Sequence, residues 1–545
     1  MKTTFTPDRA EHSTVLRPHR AARSIAEGVR SDRTAATLGV AAVPFILVAG
    51  LAAFDGGYYA PAWGWSALFL AWAAAVVLLS RHEVRIPTLA PVWLGALTCL
   101  VGWIWLSAAW SVSPTLTLLD GQRALVYLGA AIYVVVAVTR SNAAAMLGAT
   151  VAATALIATY AVVRYGSLSG TAIVDPVGYG NALGLLSVIG LLLAVGLVSD
   201  AGRGRIFAAA AAVPLAACTA LTYARGPLIA LAVGLIVMAA LARGRTRAVG
   251  VSFAAVGVVA VAALASGGAV AGAPAATALR EEVLTLSGHD RERYWAAAWQ
   301  TALDHPLAGS GAGTFERMWL EHRDVNLGVL DAHNLYLEVL AELGPLGLAL
   351  LAVVCGIPLV AAWRARGQPL APTAAGAYAA YLSHAAVDWD WEMPAVTVPA
   401  LVLAGVLLMI GTGEARPLPR TGRIAALSLV ATVAMIAFVG LMGNSALTAA
   451  VVQLERGSPR SAEQEAQRAS RWSLWSAEPA RLTAEAAVAR GDLHSARAAA
   501  LSALRRDPGN VRLWRLLAEI SQDERGRAYR RIAVLDPKGP PPWSP

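Results

Sequence analysis

Apolar runs close to the length of a membrane-crossing helix return along the whole of the first 443 residues. A hydrocarbon core of about 30 Å asks for roughly 20 such residues per helix, and lipid offers no partner for open backbone groups. The chain is therefore expected to be an all-α polytopic membrane protein. The runs fall near 38–54, 62–79, 89–110, 124–138, 143–163, 182–198, 206–222, 227–242, 248–271, 345–363, 372–387, 395–411 and 424–443. That is about 12–13 helices, with 124–138 and 372–387 the shortest. Of the 545 residues 57% are hydrophobic and 14% charged, against about a quarter charged in soluble proteins. A soluble globular enzyme is excluded.

Basic residues set the topology. With residues 1–37 inside, as a cytoplasmic Arg-rich segment, the inner segments hold twenty Lys and Arg, and the short outer loops hold three: Arg123, Arg164 and Arg225. This is the asymmetry the positive-inside rule describes. It predicts a membrane domain over 38–443, a large outer loop of about 272–344 and an outer tail over 444–545. In the tail, Glu478-Pro479, Asp507-Pro508 and Asp536-Pro537 recur every 29 residues, with a Gly491-Asp492 break. A small α-helical repeat domain, similar to short tetratricopeptide repeats, fits that period, although unrelated amphipathic helices ending in acidic-Pro stops would leave the same marks. The 42 arginines beside two lysines point to a GC-rich genome, and no nucleic-acid partner is expected. Cys99, Cys218 and Cys355 each lie in an apolar run without metal-ligand spacing and read as packing residues.

The outer loop is the most specific part of the chain. It carries Arg291-Glu292-Arg293-Tyr294-Trp295, a His305-Pro306-Leu307 turn with Gly309, Gly311 and Gly313, and Asp331-Ala332-His333-Asn334. His333-Asn334, nine residues, Gly344, two residues and Gly347 match the pattern H-[NSQ]-x9-G-x2-[GTY]. In order around it stand Pro176-Val177-Gly178-Tyr179-Gly180-Asn181, Tyr223-Ala224-Arg225-Gly226 and Asp388-Trp389-Asp390-Trp391-Glu392. This set resembles the O-antigen ligase and O-antigen polymerase superfamily over roughly residues 38–412.

The resemblance implies an enzyme of the inner (cytoplasmic) membrane that works at its outer face in cell-surface polysaccharide biosynthesis. It would move a glycan from a polyprenyl-pyrophosphate carrier to a hydroxyl of a glycan, lipid or protein acceptor, with inversion, no metal and no cofactor. An imidazole suits the proton transfer such an attack needs, and guanidiniums suit a pyrophosphate leaving group. His333 is the candidate base, and Arg225 and Arg291 are the candidate pyrophosphate ligands. Asn334, Gly344, Gly347, Asp388 and Asp390 are supporting residues.

Each of these has a plainer reading. His333 could simply open a helix, Arg225 could snorkel, and Arg291 could belong to a solvated helix face. Asp388-Trp389-Asp390 spells a metal-binding D-x-D, but a role in orienting its loop or binding acceptor sugar is preferred; the glycines read as a turn and His384 as a packed histidine. A transporter or flippase of lipid-linked sugar, and a cell-wall scaffold working through its tail, are the competing functions. The absence of an internal duplication weighs against the first, and thirteen spans are excessive for the anchor the second needs. The tail is expected to bind a cell-envelope partner or the acceptor and to take no part in the chemistry.

Overall fold

The computed structural model describes residues 18–165, 172–198, 204–242, 290–413 and 415–540. These residues hold nineteen α-helices and one two-stranded sheet of two residues per strand. The first eight helices are α1 (Pro18–Ala52), α2 (Ala60–Ser80), α3 (Ala90–Ser107), α4 (Pro114–Ala137), α5 (Ala143–Tyr165), α6 (Gly180–Val198), α7 (Gly204–Leu221) and α8 (Arg225–Leu241). The loop contributes α9 (Arg291–Asp304) and α10 (Phe315–His322). There follow α11 (Leu335–Arg364), α12 (Ala371–His384), α13 (Pro394–Gly411) and α14 (Arg420–Glu455). The tail adds α15 (Pro459–Ser470), α16 (Glu478–Ala489), α17 (Leu493–Arg506), α18 (Val511–Ile520) and α19 (Gln522–Leu535).

Ten of these helices are long and apolar enough to cross a membrane, and α8 is a shorter apolar helix. With α12 they account for twelve of the thirteen expected spans; the thirteenth, 248–271, lies outside the described residues. The run expected at 124–138 is the second half of α4, which starts at Pro114. Helix α4 was under-read because Asp120, Gln122 and Arg123 interrupt its apolar pattern. Arg123, counted above as an outer-loop residue, is instead buried inside this helix.

Helices α4, α6 and α13 are almost wholly enclosed by the others, whereas α3, α7, α11 and α14 keep most of their surface outward. Trp65, Trp72, Ile206, Ile236, Trp363 and Met435 are exposed on that outer surface, as lipid contact requires. Lipid gives helices no hydrophobic reason to associate, so close packing must do it, and small residues permit it. Helices α8 and α12 show this at Gly234 and Gly376: a Cβ on either would stand 2.8 or 2.6 Å from the other's carbonyl oxygen.

The helices divide the molecule into two ends. At one, Arg81 donates to the carbonyls of Val136 and Ala137, Arg140 to those of Thr412 and Gly413, and Arg423 to that of His82. These arginines close helix ends whose last carbonyls have no internal partner. Here Arg85–Ile86 pairs antiparallel with Arg416–Pro417. The other end gathers the 53–59, 108–113, 172–179 and 385–393 turns with the loop helices α9 and α10, and the tail is seated on it. Val112 bonds Ser310, Ile173 bonds Leu221, and Leu335 bonds Ala385, all backbone to backbone.

Helix α14 does not stop at the expected boundary of 443 but runs unbroken to Glu455. The tail helices then pack each on the one before, with α17, α18 and α19 sharing a core around Leu504, Leu517 and Ile532. The periodic acids have a structural use. Asp507 pairs with Arg317 at 3.1 Å, and Asp536 receives two bonds from Arg323, at 3.0 and 2.5 Å, both arginines on or just after α10. All four side chains are less than a tenth exposed. Glu478, the first of the series, turns instead to Arg481 of its own helix.

Candidate functional site

The motif around His333 becomes intelligible residue by residue. Asn334 is the N-cap of α11: its side-chain oxygen accepts from the Tyr336 and Leu337 amides, both at 3.0 Å, satisfying two of the orphan donors of a helix start. Gly344 breaks the helix at φ 67°, ψ −171°, separating a short segment 335–343 from the span that begins at Pro345. A Cβ there would lie 2.6 Å from the Leu307 carbonyl oxygen, so only glycine allows both the conformation and the contact. Gly347 lies against Leu343 across the same break.

His333 itself sits at φ 55°, in the left-handed region that costs a side-chain-bearing residue energy and that marks functional positions more often than most. Its Nδ1 faces the Asp331 carbonyl oxygen at 3.0 Å. A carbonyl can only accept, so in the neutral ring Nδ1 carries the hydrogen and Nε2 keeps the lone pair. The ring packs at 5.4 Å from that of Tyr294. Burial holds the imidazole pKa below its ordinary value, while the Asp331 carbonyl, Asp388 and Asp390 oppose the shift.

Asp388 has no exposed surface and is the hub of the neighbouring turn. Arg291 donates to its Oδ2 at 3.0 Å, Tyr179 to its Oδ1 at 3.0 Å, the Trp389 amide to Oδ1 at 2.8 Å, and Asn181 closes the set. Arg291 remains 23% exposed along its side chain, so part of the guanidinium reaches outward. Asp390 points elsewhere, to His384 Nδ1 at 3.2 Å. The two aspartates of the D-x-D string therefore serve different partners and do not converge on a shared ligand position. His384 is fully buried with Nε2 against Gly226, which places the first turn of α8, where Arg225 stands, next to this turn.

The structure thus brings His333, Arg291, Asp388 and Asp390 together at one end of the bundle, and the first turn of α8, which carries Arg225, adjoins them through Gly226 and His384. Tyr179 and Asn181 belong to the group as well. They stand in the Pro176–Asn181 string noted in the sequence, but only the fold shows that its polar side chains hold Asp388. His384 is a packed histidine, as read, yet a paired one.

A second set, joined to the first through Asp331, was missed. Asp331, Glu338 and Glu392 are buried and place one carboxylate oxygen each within 4.8 Å of one another, the arrangement that could hold a cation among the described residues. Arg123 reaches the same place: it forks onto Glu392 at 2.5 and 2.7 Å, pairs with Asp120, and lies between the Trp63 and Trp391 rings at 5.8 and 5.5 Å. Burial raises the Asp331 carboxyl well above the usual range, and Glu392 raises it further; the two side chains are hydrogen-bonded and need a shared proton. Glu338 accepts from the Ala332 amide at 2.7 Å, and Glu342 from those of Gly313 and Phe315 at 2.8 Å each. The glycine string is the turn expected of it, wrapped around Glu342. Asp331 and Glu392 stand in strings noted in the sequence, but nothing there joins them to each other or to Asp120, because three distant segments contribute them.

A search of curated proteins finds no significant match to this chain. A protein-family comparison does match, over a stretch narrower than the ordered motifs had implied: it takes in α7 to the first turns after the α11 break, including Arg225, Arg291, His333, Asn334, Gly344 and Gly347, and stops before Asp388. Over residues 209–352 the chain is similar to the O-antigen ligase family.

Proposed function

We propose that the protein transfers a glycan from a polyprenyl-pyrophosphate carrier to an acceptor hydroxyl at the outer face of the cytoplasmic membrane. Its similarity to the O-antigen ligase family supports a membrane enzyme of polysaccharide biosynthesis that moves glycosyl groups on lipid-linked substrates. The observation that carries the finer reading is the contact of His333 Nδ1 with the Asp331 carbonyl oxygen. A half-buried imidazole whose Nδ1–H is tied to a carbonyl presents Nε2 as a base, within electrostatic reach of the Asp388 and Arg291 pair.

In this reading Nε2 of His333 takes the proton of the attacking hydroxyl as its oxygen bonds to the anomeric carbon. The carbon–oxygen bond to the carrier breaks on the opposite side, and the electron pair leaves on the pyrophosphate. Arg225 and Arg291 meet the charge that develops there, Arg291 being aimed by Asp388. The displacement inverts the anomeric centre. No metal is required: Arg123 already neutralises Glu392, and a shared proton serves Asp331. Polymerase-like and ligase-like versions of this chemistry differ only in the acceptor, and the tail is the part suited to hold an acceptor or a cell-envelope partner.

Transfer of radiolabel from a polyprenyl-pyrophosphate glycan by the purified protein in detergent is the test. Label appearing in a saccharide acceptor, and lost in His333→Ala, is the expected result. Movement of intact carrier across a vesicle membrane without any new glycosidic bond would replace this reading with a flippase.

A further inference from the structure

Next to the His333 group lies a cleft of about 530 Å³, within the ~300–1,000 Å³ range of small-molecule sites. Its floor is the second acidic set, with Asp331, Glu338, Glu342 and Glu392. One wall brings the Tyr58, Tyr59 and Trp63 rings, and α14 contributes Asn444 and Thr448. The opposite wall is the tail, through Glu478, Arg481, Asp507, Asn510 and Arg512. Asp331 joins the two places. Its side chain lines the cleft while its carbonyl oxygen holds His333 Nδ1.

The lining selects by charge. Eight acidic side chains face four arginines, and each of the four already holds an acid: Arg123 holds Glu392, Arg317 holds Asp507, Arg481 holds Glu478 and Arg512 holds Glu316, so an entering anion would have to compete with a carboxylate for every guanidinium. The pyrophosphate of the donor is thereby directed to the Arg225 and Arg291 side. What the cleft suits is a polyol: carboxylates and amides to bond hydroxyls, and aromatic rings to cover the apolar C–H face of a sugar. Resting on the glycan-transfer reading above, we infer that this cleft binds the acceptor, through a sugar unit that carries no anionic substituent, and that the tail completes the site.

Thr448 is exposed on α14 at the cleft and takes part in none of the interactions described so far. Saturation-transfer NMR on the full-length protein in detergent, with cellobiose, chitobiose and cellobiouronic acid as probes, reads binding directly. The two neutral disaccharides are expected to receive saturation and the acidic one about tenfold less. Thr448→Trp, which fills the cleft, and Tyr59→Ala, which removes a ring, should each abolish or sharply reduce the neutral signal. In the transfer assay both should raise the acceptor KM by about tenfold, or ~1.4 kcal/mol, with the donor KM unchanged.

Equal signals from wild type and Thr448→Trp, equal binding of the acidic probe, or no signal from the wild type would overturn the inference. So would a rise in donor KM without one in acceptor KM. The two readings fail separately. Neutral sugars bound in the cleft by a protein that makes no glycosidic bond would remove the transferase and leave the sugar site. Transfer by Thr448→Trp with a wild-type acceptor KM would remove the cleft and leave the transferase.

Discussion

At the scale of single residues, the chemistry turns on which nitrogen of His333 holds a hydrogen. His333→Ala should lower transfer by about 10²- to 10⁴-fold, the usual worth of a general base, while donor binding, followed by carrier-glycan retention on the purified protein, persists. The pH profile is a sharper check. Burial lowers the pKa of this imidazole, so the base form prevails at neutrality and the rate should hold through the ordinary imidazole range near 6.5. It should fall only under more acidic conditions, as the ring takes up its proton; a midpoint at or above the ordinary value would contradict the environment described. Arg291→Lys keeps the charge but loses the fork that meets both Asp388 and a phosphate, and transfer should drop by roughly 10- to 150-fold, or about 1.5–3 kcal/mol. Treatment with EDTA should leave the rate unchanged, because Arg123 already holds Glu392, Asp331 shares a proton with Glu392, and Glu338 accepts from the Ala332 amide. The helix start at Asn334 and the break at Gly344 were legible in the sequence because the motif fixes them by local spacing. The grip of Tyr179 and Asn181 on Asp388 was not, since it spans 207–209 positions and depends on helix packing.

At the scale of elements, the motif is a hinge built from a cap and a break. Asn334→Ala should cost about 1 kcal/mol (range ~0.5–2) by freeing two amides, and Asn334→Asp should recover most of it, as read by thermal unfolding in detergent. Gly344→Ala should be worse. It forces a Cβ into positive φ and against the Leu307 carbonyl, beyond the ~1–3 kcal/mol of backbone strain alone, and faster proteolysis between α10 and α11 would report it. The span pattern was readable wherever a helix faces lipid, for there the apolar run is continuous. It fell short at α4, where burial among partners lets Asp120, Gln122 and Arg123 stay inside a span, whereas the equally enclosed α6 and α13 carry no charge and kept a continuous apolar run.

At the scale of the whole molecule, one end of the bundle carries the site and the tail, and the other collects the arginine-closed turns. Cysteine labelling of intact cells should reach Asn326→Cys and His494→Cys, both exposed at the site-bearing end, and should miss Arg85→Cys until the cells are opened. The 29-residue recurrence of acidic-Pro pairs was visible in the sequence, but its use was not: a spacing along the chain does not show that two of the acids hold arginines from another region. Arg323→Ala should destabilise the tail's seating by up to about 3–5 kcal/mol, since it leaves the buried Asp536 only the longer contact with Arg515 at 3.6 Å, and Arg323→Met with Asp536→Leu should recover most of that. Deleting the tail would orphan both Arg317 and Arg323, so it tests more than acceptor recruitment. The unbroken α14 has a further consequence, one of phase. Because no swivel separates membrane from tail before Glu455, the tail's bearing is set by a count of residues. One alanine inserted after Ala449 turns everything beyond it by about 100°, and seven inserted residues restore the bearing but raise the tail by about 10 Å. Both should part Asp507 from Arg317 and Asp536 from Arg323, the first by rotation and the second by height, and a crosslink between Asn326→Cys and a cysteine in α19 would record each as a loss of proximity.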